Sequence, residues 1–256
     1  MGLNLEELRD FLDEKADQYN HPQFIESDPI QIPHRFSDKE DIEIAGFLTA
    51  TISWGNRNSI LKSAERMMGL LGESPYDFVM SHSERQLGKI DGSVHRTFNS
   101  TDLLFFIKAL QFLYQQRGGL EGIFNRYQTP QSLQPAIHHL KQEFFSIPHP
   151  LRTCKHLPDP FKGSAAKRIN MYLRWMIRKD NRGVDFGIWK DISPSVLSCT
   201  LDLHSGNVAR KLGLIDRKQN DSKTLVQLDE RLRQLDPIDP VKYDFTLFGL
   251  GIFEKF

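Results

Sequence analysis

Lys167 and Asp202 are the residues of this sequence whose types and positions best suit bond-breaking chemistry. Lys167 follows a glycine-containing turn in the segment FKGSAAKRINMYLRWMIRKDN, and Asp202 begins the segment DLHSGNVARKLGL. A lysine amine is a nucleophile once it has lost its proton, and both burial and a helix N-terminus favour the neutral amine. A carboxylate can stabilise positive charge that develops in a transition state. Taken singly, each residue also fits an ordinary role, as a solvent-exposed lysine or as a helix N-cap.

Both residues are predicted to lie at the start of a helix. After Lys167, apolar residues recur at intervals of three and four, which predicts an amphipathic helix with one buried face. Ser164 would cap this helix and put Lys167 near its third position. Asp202 would be the N-cap of a second helix. The residues predicted to face inward on this second helix are Leu203, Val208 and Leu212.

A lysine after a hairpin that contains glycine, followed by an aspartate at the next helix start, resembles the base-excision DNA glycosylases of the helix-hairpin-helix superfamily. The gap of 35 residues between Lys167 and Asp202 is longer than in the endonuclease III branch and is similar to that in the archaeal 8-oxoguanine DNA glycosylase/lyase branch. The whole chain also resembles an uncharacterised bacterial family of this type. The superfamily's hairpin has the pattern L-P-G-V/I-G before the lysine, whereas this chain has DPFKGSAAK, with one glycine. This departure implies that the turn binds a DNA phosphate more weakly or with a different geometry.

The resemblance implies a DNA repair glycosylase that excises a damaged base, with 8-oxoguanine as the first candidate and with or without an additional AP lyase activity. Lys167 would attack the sugar and form a Schiff base, and Asp202 would assist. The helical periodicity of almost every segment independently predicts an all-α fold. By the resemblance, residues 37–140 would form one helical lobe with an intercalating-type loop at 53–58. Residues 1–36 and 141–256 would form the second lobe, which carries the hairpin, and the cleft would lie between the lobes.

The resemblance also assigns residues that would contact DNA or the extruded base. Trp54 and Trp189 are predicted to line the base pocket, although ordinary turn and core packing remain open for both. Trp189 is expected in an exposed loop. The residues predicted to contact DNA are Asn56, Arg57, Lys162, Gly163, Ser164, His204 and Arg210.

Composition narrows the class of protein. With 26% charged and 39% hydrophobic residues, the chain is typical of a soluble globular protein. No apolar run approaches the ~20 residues that a membrane span needs, and the acidic N-terminal segment does not resemble a signal peptide. The two cysteines are too few for a zinc quartet or a four-cysteine iron–sulfur cluster, so no cofactor is predicted. We expect a cytoplasmic monomer whose partner is damaged DNA.

The distribution of charge is uneven although the net charge is zero. Residues 152–182 contain nine Lys or Arg residues and two acidic residues. Phosphate binding needs such a local concentration of positive charge, so this stretch predicts a DNA-binding surface. A solvated basic helix face accounts for it equally well.

Other segments predict further elements. Residues 3–19 predict an amphipathic helix, and Ser37 with Glu40 predicts a capping box for the next one. Residues 88–99 predict a polar loop.

Two functions of other classes stay open. One is a helical DNA-binding protein without catalysis. The other is an all-α phosphohydrolase that uses His and Asp ligands on a metal ion. His138, His139 and Glu143 could share a helical face as a metal half-site, but no second ligand set follows, and no metal is predicted.

Overall fold

The computed structural model describes residues 4–256, and in this range the chain is predominantly helical. The all-α class is confirmed. In chain order the α-helices are α1 (Leu5–Tyr19), α2 (Gln23–Ser27), α3 (Lys39–Thr51), α4 (Arg57–Leu71), α5 (Pro75–Ser81), α6 (Glu84–Leu87), α7 (Ser100–Gln116), α8 (Gly119–Tyr127), α9 (Gln134–Phe144), α10 (Lys167–Ile177), α11 (Leu203–Lys211), α12 (Ser222–Leu235) and α13 (Tyr243–Ile252). The short 3-10 helices are Pro29–Gln31, Pro33–Arg35, Leu151–His156, Pro160–Lys162, Pro194–Val196 and Pro240–Lys242.

A small β-hairpin interrupts the helical fold. Strands β1 (Ser93–His95) and β2 (Phe98–Asn99) pair antiparallel between α6 and α7. The prediction of a loop without secondary structure over 88–99 is therefore wrong for its second half. The segment is too short and too polar for a period-two pattern to stand out in the sequence.

The buried apolar side chains form two clusters. The larger one includes Phe47 of α3, Phe144 of α9 and Trp175 of α10. The smaller one is built mainly from α11, α12 and the second half of α13, with Leu228 as an example. The boundary predicted at residue 140 does not separate these clusters, because Phe144 and Trp175 pack in the same cluster as Phe47.

Two segments connect the clusters. Helix α13 contributes Phe245 to the larger cluster and Leu247 to the smaller one. The turn before α10 does the same, since Ala165 belongs to the smaller cluster and Ala166 to the larger one. The start of α10 therefore lies where the two cores meet.

Helix α10 packs closely against α3. The apolar residues predicted to face inward, among them Ile169, Leu173 and Met176, are buried as expected. The two helices approach at Gly46, where a Cβ atom would lie 3.2 Å from Cε of Met176. A small residue at this position allows the close approach, which packs the second half of α10 tightly against the larger core.

Helix caps differ in part from those predicted. Helix α1 begins with a capping box between Asn4 and Glu7 and lies within the predicted range 3–19. Residue 3, the first of that range, lies outside the described residues. The capping box predicted between Ser37 and Glu40 is wrong, since α3 begins after Asp38, which makes no side-chain cap hydrogen bond. Among the described helices, none combines the length and the apolar character needed to cross a membrane.

Candidate active site

Lys167 and Asp202 meet in the folded chain. Nζ of Lys167 lies 2.8 Å from Oδ2 of Asp202, and the two side chains are 38% and 25% exposed. Lys167 is the first residue of α10, and Asp202 is the N-cap of α11. Two helix N-termini thus bring an amine and a carboxylate into direct contact at a partly solvent-accessible position.

The turn before α10 determines where Lys167 begins the helix. Gly163 and Ala166 both have left-handed backbone conformations, with φ of +88° and +47°. Ser164 does not cap the helix as predicted, because its hydroxyl accepts the N–H of Ala166 (3.1 Å) inside the turn. The N–H of Ser222, at the start of α12, donates to the carbonyl of Gly163 (3.0 Å) and anchors the turn from outside. Lys167 is therefore the first helical residue and not the third.

Asp202 uses its two carboxylate oxygens differently. Oδ1 accepts the N–H of Ser205 (3.0 Å), and the Ser205 hydroxyl accepts the N–H of Asp202 (2.8 Å), which completes a capping box. Oδ2 is left to contact Lys167. Burial raises the pKa of the Asp202 carboxyl, but the charge and hydrogen bond of Lys167 lower it by more, so the pKa lies below its usual value. The carboxylate is consequently charged at neutral pH.

A cavity of about 340 Å³ opens beside this pair. Phe24, Met171 and Phe248 form an apolar part of its wall, and charged residues such as Asp28 and Arg174 line other parts. A second, more open concavity of about 450 Å³ adjoins the first and shares the pair with it. The residues that line both are Ser53, Trp54, Gly55, Lys167 and Asp202. The amine and the carboxylate thus line both the open groove and the more enclosed cavity.

Trp54, predicted to line a base pocket, does line both concavities. The Arg168 guanidinium lies 4.8 Å from the centre of its ring, and His95 packs edge-on against it at 5.0 Å. The Nε2–H of His95 also donates to the backbone carbonyl of Trp54 (2.9 Å). These contacts hold the ring in one orientation at the mouth of the cavity.

The loop 53–58 lies at the edge of the same cavity. Asn56 is exposed and caps α4 by accepting the N–H of Ser59 (3.2 Å). Arg57 lines the cavity, with its guanidinium 5.0 Å from the centre of the Phe248 ring. The structure therefore brings Arg57 and Trp54 to the cavity of Lys167 and Asp202, whereas Asn56 faces solvent.

The remaining predicted contact residues divide into two groups. Three of them, Lys162, Gly163 and His204, are exposed, and Ser164 is half-buried. Ser164 lines the open concavity, and His204 lines the cavity of about 340 Å³. Arg210 is engaged elsewhere, because its guanidinium donates to the carbonyl of Arg217 (2.6 Å) and to the side chain of Asn220 (2.6 Å).

Trp189 packs in the core, the alternative left open for it, and not in an exposed loop. Trp189 is 1% exposed, and its indole N–H donates to Oε1 of Glu43 (2.7 Å) in the larger core. It lines neither concavity. The prediction that Leu203 faces inward is wrong, since this residue is 65% exposed beside Asp202.

A family comparison covers most of the chain. A family model described as protein of unknown function (DUF2400) matches residues 28–253, which include Lys167 and Asp202. The chain belongs to this family. No curated protein and no solved structure matches the chain significantly. Since the family carries no assigned function, the chemistry of the site has to be argued from its geometry.

Asp28, the first residue of the stretch matched to the DUF2400 family, is a cavity residue that sequence reasoning missed. It is 7% exposed, and Oδ1 accepts the N–H of Ile30 (3.1 Å). Burial raises the pKa of its carboxyl, although the charges of Arg174 and Arg57 oppose this. In the sequence, an Asp before Pro29 indicates only a cap, so nothing there pointed to the cavity.

Arg168 is the second missed residue. It lines the open concavity, and its guanidinium donates to the backbone carbonyls of Thr51 and of His156 (3.3 Å). Burial lowers the pKa of this guanidinium to about 10. Among residues 4–256 no carboxylate lies within salt-bridge distance of it, and its guanidinium is held by these two carbonyls and by the Trp54 ring.

The basic stretch 152–182 does not form one DNA-binding surface. Arg174 and Arg178 are buried and pair with Asp185 at 3.1 Å each. Arg152 pairs with Asp102 (3.1 Å) and Arg182 with Asp17. The other basic residues of this stretch, which are exposed or lie at the cavity, are Lys155, Lys162, Lys167, Arg168 and Lys179.

The residues of the suggested metal half-site have other partners. His138 contacts Oδ1 of Asp159 (2.9 Å), and Glu143 pairs with Arg117 (2.8 Å). In the described part of the chain, no three His, Cys, Asp or Glu side chains converge as metal ligands would. The structure therefore offers the phosphohydrolase alternative no ligand set.

Proposed function

We propose that this protein is a DNA glycosylase that excises a damaged base, with Lys167 as nucleophile and Asp202 as its partner. The observation that carries the proposal is the 2.8 Å contact between Nζ of Lys167 and Oδ2 of Asp202 beside a partly apolar cavity. An N-glycosidic bond breaks through a sugar with oxocarbenium character. A carboxylate in contact with a lysine can take the proton that the ammonium must lose before its amine attacks the sugar.

The two concavities suit a nucleotide that has left the base stack. The cavity of about 340 Å³ would hold the extruded base against Phe24, Met171 and Phe248. Its rim, with the Trp54 ring, would contact the sugar or the base. The open groove beside Arg168 would follow the DNA backbone.

Catalysis would begin with the transfer of a proton from the Lys167 ammonium to Oδ2 of Asp202 as DNA binding excludes water. Two opposite charges in contact lose solvation when the site closes, which favours the neutral pair. The amine then attacks C1′ of the sugar, and the C1′–N bond breaks. The base leaves with the bonding electron pair and takes up the proton held by Asp202, which becomes a carboxylate again.

A lyase step would follow on the same residue. Opening of the sugar ring gives an imine between Nζ and C1′. Loss of a proton from C2′ then breaks the bond between C3′ and its phosphate oxygen, which cuts the strand. Water finally hydrolyses the imine and releases Lys167 as the free amine. If this branch is absent, Asp202 would instead activate water for base release alone.

Borohydride trapping tests the proposal. A duplex with a single 8-oxoguanine is incubated with the protein and borohydride, which reduces the imine to a stable covalent complex. We expect a complex with the unmodified protein and none with Lys167→Gln. Lys162→Gln is the matched control, because it removes the same charge from an exposed position before the turn.

The outcomes separate the alternatives. Equal trapping by Lys167→Gln and Lys162→Gln would contradict the assignment of Lys167. Base release without trapping would identify a monofunctional enzyme. DNA binding without base release on any lesion tested would identify a non-catalytic DNA-binding protein.

A further inference from the structure

We propose that the turn between β1 and β2 is a second DNA-contacting element, in which Arg96 binds the phosphate backbone of the duplex beside the loop 53–58. This inference rests on the proposed DNA substrate. It concerns a part of the chain that the sequence marked only as a polar loop.

The hairpin is held rigidly to the rim of the cavity. His95 joins it to the loop through the Trp54 carbonyl (2.9 Å) and to α4 through the Ser63 hydroxyl (3.0 Å). Arg66 of α4 donates to the carbonyl of Val94 (2.8 Å). The position of the turn is therefore determined by the same elements that position Trp54.

Arg96 occupies a backbone conformation that does not suit it. It follows His95, the last residue of β1, and has a φ of +51°. Two-residue hairpin turns place Gly, Asn or Asp in this left-handed region, because other side chains are strained there. Strained residues of this kind concentrate at functional sites, where the side chain has a role that offsets the cost.

The guanidinium of Arg96 lies directly over Gly55. A Cβ atom at Gly55 would overlap Nη1 of Arg96, so a larger residue at position 55 would displace the end of this flexible side chain. Gly55 has a φ of +97° and lines both concavities. The charge of Arg96 thus lies beside a residue that lines the candidate active site.

Positive charge is concentrated at the entrance to this site. The Arg168 guanidinium lies over the Trp54 ring, that of Arg96 over Gly55, and that of Arg57 over the Phe248 ring of the same cavity. Within residues 4–256, none of the three has a carboxylate at salt-bridge distance. In a chain with equal numbers of basic and acidic residues, three arginines without such a partner at one rim fit a polyanion. A planar guanidinium also suits phosphate oxygens, to which it donates two hydrogen bonds.

The test compares Arg96→Gly with the unmodified protein. Binding to a labelled duplex is measured from low to moderate salt, and thermal unfolding is measured in parallel. We expect binding roughly threefold or more weaker and a slope of log K against log salt smaller by about one, as the loss of one phosphate contact requires. The melting temperature should stay unchanged or rise, because glycine relieves the strained backbone. A merely structural arginine would not give weaker binding together with equal or greater stability.

Two further variants complete the experiment. Arg96→Lys keeps the charge and should retain the salt slope. Arg126→Gln removes an exposed charge from α8, outside both concavities, and should bind like the unmodified protein. If Arg96→Gly bound DNA with the same affinity and the same salt slope as the unmodified protein, the proposed role of the hairpin would be overturned and the proposed function would not. Lack of DNA binding by the unmodified protein would instead overturn the proposed function.

Discussion

Asp202 contacts Lys167 through one carboxylate oxygen and caps α11 through the other. Oδ2 lies 2.8 Å from Nζ of Lys167, and Oδ1 accepts the N–H of Ser205 (3.0 Å). The structural and the chemical roles of this residue are therefore carried by different atoms. Substitutions that keep an acceptor oxygen but remove the charge can separate them.

Asp202→Asn should lower base release at least ~100-fold, which is the usual scale for losing an electrostatic partner of the transition state. Its melting temperature should stay near that of the unmodified protein, because Asn is also a good N-cap and a half-exposed ion pair contributes only about 0–1 kcal/mol. Single-turnover base release and thermal unfolding measure the two effects.

A second N-cap aspartate provides the control. Asp221 caps α12 by accepting the N–H of Thr224 (2.9 Å) and lines neither concavity. Asp221→Asn should leave base release unchanged. If Asp202→Asn lost much stability and kept its activity, Asp202 would be a cap and nothing more.

Binding to DNA should depend on the cavity rim and not on the basic stretch as a whole. Arg57→Gln is expected to weaken duplex binding roughly threefold to tenfold, since it removes an uncompensated charge at the entrance. Lys179→Gln, beyond the opposite end of α10, should have little effect. Both are measured by titration at fixed salt. Equal losses would show that phosphate contacts spread along residues 152–182.

Gly55→Ala should destabilise the fold by about 1–2 kcal/mol. The new Cβ meets Arg96, and the backbone φ of +97° is unfavourable for alanine. Gly69→Ala is the matched control, because a Cβ there meets no atom within 4 Å in the last turn of α4. That variant should gain about 0.5–1 kcal/mol. Denaturant unfolding measures both, and a Gly55→Ala variant as stable as the unmodified protein would contradict the strain expected at this backbone conformation.

The free energy of unfolding should fall as pH rises from about 4 to 7, because of a carboxyl group in the smaller core. Asp229 is buried there, and burial raises its carboxyl pKa to about 7 against the hydrogen bond from the Cys199 N–H. In this window the folded chain keeps a proton that the unfolded chain releases, so rising pH favours unfolding. Asp229→Asn keeps an acceptor for Cys199 and removes the charge.

The melting temperature of Asp229→Asn should therefore fall less between pH 5 and pH 8 than that of the unmodified protein. Asp191→Asn, at an exposed position, should follow the unmodified protein. Parallel pH profiles for Asp229→Asn and the unmodified protein would rule out this source of pH dependence.

The sequence by itself determined the helical class and the two residues at the centre of the site. Spacing along one helix decides which face is apolar, so the buried face of α10 was predictable from Ile169, Leu173 and Met176. The types of Lys167 and Asp202, each close to a helix start, were also visible. These features depend on neighbours within a few positions along the chain.

Only the tertiary structure decided which of the other candidates reach the site. Arg174 and Arg178 are buried because Asp185 returns to them after a turn, and Trp189 is buried because Glu43, far away in sequence, accepts its N–H. Asp28 and Arg96 come to the cavity rim through the packing of elements distant along the chain. Ion pairing and burial are set by such long-range packing, which no local spacing encodes.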